Sequence, residues 1–173
     1  MDVVRTSKRL SFVLRHRPDS VGLVLDPAGW VDVDQLLAAL RLTREQLERV
    51  VATNDKRRFE IAGDRIRAVQ GHSVAVELGY APERPPAQLF HGTVERFLPA
   101  ILAEGLRPQR RHAVHLSPDV ATARTVGARR GRPVVLRVDA VRLADDGAVF
   151  SRSANGVWLV DAVPPSYLTV LDD

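Results

Sequence analysis

Apolar positions in the first third of the chain recur at helical spacing. Leu10, Val13 and Leu14 share one side of a first helix, with Thr6 or Ser7 as its N-cap and Pro18 as its stop. After Trp30-Val31, either Asp32 or Asp34 caps a second helix that turns Val33, Leu36, Leu37 and Leu40 inward. Thr43 and Gln46 stand at capping-box spacing ahead of a third helix bearing Leu47, Val50 and Val51. The period then changes from helical to two. Residues 58–61 and 65–69 alternate around Ala62-Gly63-Asp64, the pattern of a hairpin. Helices followed by a two-stranded wing predict a winged-helix-like N-terminal lobe.

A Pro-rich stretch, residues 81–88, breaks this periodicity and reads as a linker between lobes spanning 1–80 and 89–173. Beyond it the apolar runs are short. Strands are predicted at 88–91, 113–116, 133–138, 148–150, 157–160 and 167–170, and helices at 94–104 and 118–128. Gly105 stands where a C-capping glycine belongs, and Ser117-Pro118 reads as N-cap and first helical residue. The fold class is therefore α+β with mostly antiparallel pairing.

Composition narrows the function. The chain has 173 residues, 45% hydrophobic and 27% charged, as a globular protein does. No apolar run approaches a membrane span, and the first ten residues lack a secretory h-region, so no membrane partner is expected and the cytoplasm is the expected location. Cysteine is absent, which removes disulfides and thiolate metal sites. The formal net charge is +4, and all but Lys8 and Lys56 of the 25 Lys and Arg residues are Arg. Between Arg107 and Arg132 lie Arg110, Arg111, Arg124, Arg129 and Arg130, with Asp119 as the one acid. Such a cluster suits a polyanionic partner, or else a solvated basic face.

Several short motifs carry candidate chemistry, and each taken alone has a plainer structural explanation. Arg15 and His16 at the end of the first helix can grip a phosphate, or merely offset the helix dipole. Arg65 and Arg67 on one strand point to the same face while Ile66 points to the core, making an anion clamp or an ordinary exposed face. Gly71-His72-Ser73 follows as a polar turn. His91-Gly92-Thr93 offers backbone groups to a carboxamide, or a tight turn with Thr93 capping a helix. His115 and Ser117 alternate with apolar neighbours; Arg129 lies at a helix end; Asn155-Gly156 is a hairpin turn signal. Gly-x-Gly-x-x-Gly, P-loop and Gly-x-Ser-x-Gly motifs are absent, and no His/acid spacing suits a catalytic metal.

Together these segments resemble one family, the RNA (tRNA) 2′-phosphotransferases. The resemblance runs in order through Ser7-Lys8, Leu10-Ser11, Leu14-Arg15-His16, Gly29-Trp30-Val31, Asp55-Lys56, Arg58-Phe59, Ile66 to Ser73, His91-Gly92-Thr93, Val114 to Ser117, Gly127, Arg129, Asn155 to Leu159, Val163-Pro164-Pro165 and Tyr167. It implies an ADP-ribosyltransferase-like C-terminal lobe that takes NAD⁺ as a consumed co-substrate. It implies that RNA bearing an internal 2′-phosphate is the partner and that no metal is needed. The implied reaction runs through an RNA-2′-phospho-ADP-ribose intermediate to 2′-OH RNA, nicotinamide and ADP-ribose 1″,2″-cyclic phosphate. Arg15, His16, Arg67 and Arg129 take the family's catalytic positions; His91, Gly92, Thr93, His115 and Ser117 take its NAD⁺-contacting ones; Arg65, His72 and Ser73 would touch substrate. Arg65 stands where the family often has Lys. Val157 lies near the point where many ADP-ribosyltransferases carry a catalytic Glu. Alternatives are an ADP-ribosyltransferase acting on nucleic-acid phosphate ends and, more distantly, a winged-helix DNA-binding regulator.

Overall fold

A computed structural model describes residues 1–109 and 111–171; Arg110 of the basic cluster lies outside them. The chain divides into two compact units, Met1–Gly79 and Tyr80–Asp173. Helices and small antiparallel sheets make it α+β.

The first unit begins with α1 (Val3–Arg15), which buries Leu10, Val13 and Leu14. Its cap is Asp2 rather than Thr6 or Ser7. The Asp2 carboxylate accepts from the Arg5 N–H at 3.0 Å, and the Thr6 hydroxyl is spent on the Asp2 carbonyl within the first turn. α1 ends before Pro18, which opens a 3-10 turn at Pro18–Val21. β1 (Val31–Asp32) leads into α2 (Val33–Leu40), capped by Asp32, and α3 (Arg44–Ala52) starts with the full Thr43/Gln46 capping box. Leu37 and Val51 are only partly buried against the core that Leu36, Leu40, Leu47 and Val50 complete. β2 (Phe59–Ala62) and β3 (Arg65–Ala68) form the hairpin. Its loop is two residues, Gly63-Asp64, because Ala62 pairs with Arg65. β3 is the central strand of the sheet β1-β3-β2.

The second unit holds two three-stranded antiparallel sheets. One, in the order β4-β6-β9, consists of β4 (Gln88–Val94), β6 (Pro133–Asp139) and β9 (Leu168–Val170). The other, β5-β8-β7, consists of β5 (Val114–Leu116), β8 (Trp158–Val160) and β7 (Ser151–Arg152). β4 is longer than its apolar run, so Thr93 is a buried strand residue and caps nothing. The helix expected at 94–104 is a 3-10 turn followed by α4 (Leu98–Glu104), which Gly105 ends at φ 83°. α5 (Val120–Gly127) is capped by Asp119, whose carboxylate accepts from the Thr122 N–H at 2.7 Å. Ser117 does not cap it; its N–H and C=O both bond Phe90. Residues 148–150 form no strand, because they close α6 (Ala140–Asp145) through Ala148 N–H to Leu143 O. α6 went unpredicted because it follows β6 with no break in apolar pattern. The Asn155-Gly156 turn joins β7 to β8, with Gly156 at φ 83°.

One packing detail shapes the second unit. A Cβ on Gly92 would stand 1.7 Å from the Ala123 carbonyl oxygen, and one on Gly127 would stand 2.8 Å from that of Thr93. α5 therefore lies directly on β4 because both contact points are glycine. The space that a side chain at position 92 would take is filled by α5.

Candidate active site

In the first unit, β3 alternation sends Ile66 into the core and both neighbouring guanidiniums to one face. Arg65 and Arg67 lie over the Trp30 ring, 5.2 and 4.6 Å from its centroid. Arg65 pairs with Asp26 at 3.3 Å. Arg67 is 9% exposed; it pairs with Glu60, its cross-strand partner, and donates to the carbonyls of Ala28 and Leu78 at 3.1 Å each. These partners fix the plane of the guanidinium.

The end of α1 meets the turn after β3. His16 Nδ1 lies 2.8 Å from the Ser73 hydroxyl, across 57 positions of sequence. The Ser73 N–H donates to the Arg15 carbonyl at 2.9 Å. The Arg15 guanidinium lies over Gly71, whose φ of 88° suits glycine and whose missing side chain leaves room for it. His72 is 1% exposed, with Nε2 against Gly29, so it packs beneath the loop that carries Ala28 and Trp30. Arg15, His16 and Ser73 thus gather at one corner of this unit, past the end of β3, while Arg65 and Arg67 on β3 share the Trp30 ring. The partners Asp26, Trp30 and Glu60 were not singled out from the residues themselves. Glu60 is legible once the two-residue turn is known, since that turn sets it opposite Arg67.

In the second unit, β4 and β5 touch at one isolated bridge among the described residues, Phe90 with Ser117. Strand alternation points the Gly92 N–H and C=O to the same edge as those of Phe90, away from β6. Next to that edge, the His91 ring reaches across, with Nδ1 3.1 Å from the His115 carbonyl. A carbonyl only accepts, so Nδ1 carries the proton and Nε2 is an acceptor. Burial, followed by the charges of Arg130 and Arg111, lowers the His91 pKa and keeps the ring neutral. His115 has the other tautomer. Arg111 donates to its Nδ1 at 2.7 Å, which puts the proton of the neutral ring on Nε2.

Arg129, in the 3-10 turn Ala128–Arg130 after α5, is exposed. Its charge and that of Arg130 act, after burial, to lower the pKa of Arg111. Arg111 and Arg130 therefore bear on the His91–His115 edge, with the Arg129 charge acting on Arg111, an arrangement that favours an anion. Arg111 and Arg130 were visible in sequence only as members of a basic cluster. Among the described residues, no group of three or more His, Asp or Glu could hold a metal ion, and no helix is long and apolar enough to cross a membrane.

Comparison with known proteins points the same way. Residues 1–162 match the model of the RNA 2′-phosphotransferase, Tpt1/KptA family. The chain is 59% identical over 170 residues to a probable RNA 2′-phosphotransferase of Streptomyces coelicolor, covering 95% of this chain and 93% of that one. It is 58% identical to a protein of the same description from Agrobacterium fabrum, covering 97% and 94%. A third, from Rhodopirellula baltica, is 53% identical over 96% and 95% of the two chains. By family match and by identity over nearly its whole length, this chain belongs to the RNA 2′-phosphotransferase family.

Proposed function

We propose that this protein is an NAD⁺-dependent RNA 2′-phosphotransferase that clears an internal 2′-phosphate from RNA. The first unit is read as a winged-helix-like phosphate and RNA lobe, and the second as an ADP-ribosyltransferase-like lobe. The observation that carries the reading is the corner where Arg15 and His16 meet the turn that follows β3, the strand that carries Arg67.

A 2′-phosphate dianion is already a nucleophile and needs no general base. That fits Val157, where a base is dispensable. Bound NAD⁺ would supply an electrophilic ribose carbon to the phosphate and a neighbouring hydroxyl to carry it away. The donor set of the second unit fits such a ligand. Gly92 offers an N–H and C=O pair for a carboxamide, His91 Nε2 offers an acceptor, and nearby guanidiniums match a diphosphate. Thr93, His115 and Ser117 complete the group that orients the nicotinamide riboside. Arg15 and Arg67 neutralise charge as it builds on the phosphoryl oxygens, in place of a metal. Arg67 is preorganised for this by Glu60, Trp30 and two carbonyls, and so spends no reorganisation at the moment of reaction. His16, held by Ser73, protonates the departing ribose oxygen.

The test is incubation with a 2′-phosphorylated oligonucleotide, with and without NAD⁺, and chromatography of the products. The expected result is 2′-OH RNA together with a cyclic phosphate of ADP-ribose, only when NAD⁺ is present. A stable ADP-ribosylated RNA would shift the reading to an end-modifying ADP-ribosyltransferase. Unchanged RNA in both arms would refute it.

A further inference from the structure

The mechanism uses only the C-terminal end of α1. The rest of that helix is unusual in charge and in what it exposes. Its 13 residues include Arg5, Lys8, Arg9 and Arg15 and no carboxylate. Its core face is Leu10, Val13 and Leu14. On the opposite side Val4, Lys8, Phe12 and His16 form a row at i, i+4 spacing, with Arg5 alongside. Phe12 is 50% exposed, and its ring contacts the His16 ring at 6.4 Å between centroids, tilted by 55°. An exposed aromatic ring therefore stands one helical turn from the histidine that Ser73 holds.

We propose that Phe12 is a stacking platform for an unpaired base next to the 2′-phosphorylated ribose, with Arg5 and Lys8 tracking the flanking phosphates. The proposal rests on the RNA reading above and extends it from the phosphate to its neighbours. Charge complementarity selects the occupant, because a single-signed cationic row suits a polyanion and repels a basic partner. The ring selects single-stranded nucleic acid over duplex, since only an unstacked base can lie on it. The row is continuous with the phosphate corner, so one strand can occupy both.

Binding is read by anisotropy of a labelled 2′-phosphorylated oligonucleotide without NAD⁺, so that the result stands apart from the reaction chemistry. A matched oligonucleotide with abasic sites flanking the same 2′-phosphate is the comparison. Phe12→Ala should weaken binding of the first about tenfold, within the range of one lost base stack, and leave the second unchanged. Phe12→Trp should restore binding and Phe12→Leu should not. Lys8→Ala should reduce the salt dependence on both oligonucleotides. Equal losses on the two oligonucleotides, or full rescue by Phe12→Leu, would overturn the proposal and leave Phe12 as packing for His16. If wild type binds with the expected pattern yet NAD⁺ releases no 2′-phosphate, the reaction assignment fails and the platform stands.

Discussion

The arginine clusters of the two units handle positive charge in opposite ways. In the first, Arg65 and Arg67 are each matched to a carboxylate and laid on Trp30. In the second, Arg111, Arg129 and Arg130 act on one another, and among the described residues no carboxylate pairs with Arg129 or Arg130. Braced guanidiniums are rigid before substrate arrives, which suits charge stabilisation in a transition state. Crowded ones hold unspent repulsion that an anionic ligand relieves, which suits recognition of a diphosphate. The difference predicts a division of labour between reaction and co-substrate binding.

The largest effect should come from breaking the brace. Arg67→Gln should lower turnover by about 10²–10³-fold, the cost typical of losing one preorganised donor, and Glu60→Gln should reproduce part of that loss; steady-state rates on a 2′-phosphorylated oligonucleotide measure both. A smaller contribution of Glu60 than of Trp30 would show that stacking, rather than the ion pair, orients Arg67. Next comes Gly92→Ala. Its Cβ has no room against the Ala123 carbonyl, so stability should fall by about 3 kcal/mol or more. Thermal or urea denaturation reads this, and Gly63→Ala, with open space at φ 63°, gives the milder control for backbone strain alone.

A third effect is smaller and depends on pH. The folded-state pKa of His91 lies below its ordinary value of 6.5, so the unfolded chain binds more protons in that interval. Stability should be level above about pH 6.5, and should fall as pH drops from there toward the folded value. Denaturant midpoints at pH 5 and 7.5 test it, and His91→Gln should flatten this contribution. The smallest effect is expected at Arg130. Arg130→Ala removes a like charge near Arg111, so stability should hold or rise slightly, within about 0.5 kcal/mol. Thermal or urea denaturation measures it.

The elements and the corner of the first unit were readable because local rules decide them. Capping-box spacing placed α3, and period-two alternation put Arg65 and Arg67 on one face. The brace on Arg67 was less legible for a reason of counting. Reading the turn as Ala62-Gly63-Asp64 sets Glu60 opposite Ile66, whereas the two-residue turn sets it opposite Arg67. In the second unit the candidate histidines were visible, but their tautomers were not. Those depend on Arg111 and on the His115 carbonyl, contacts that the packing of β5 creates. The need of α5 for glycine at position 92 was not legible either, since it arises from packing between elements far apart in sequence.

The claim on which the rest depends is that the two clusters bind different partners. Calorimetric titration of the full-length Arg67→Gln and His91→Ala variants, each with NAD⁺ and with a 2′-phosphorylated oligonucleotide, tests it directly. Arg67→Gln should weaken the oligonucleotide and spare NAD⁺, while His91→Ala should weaken NAD⁺ and spare the oligonucleotide. Loss of the same ligand in both variants would contradict the division.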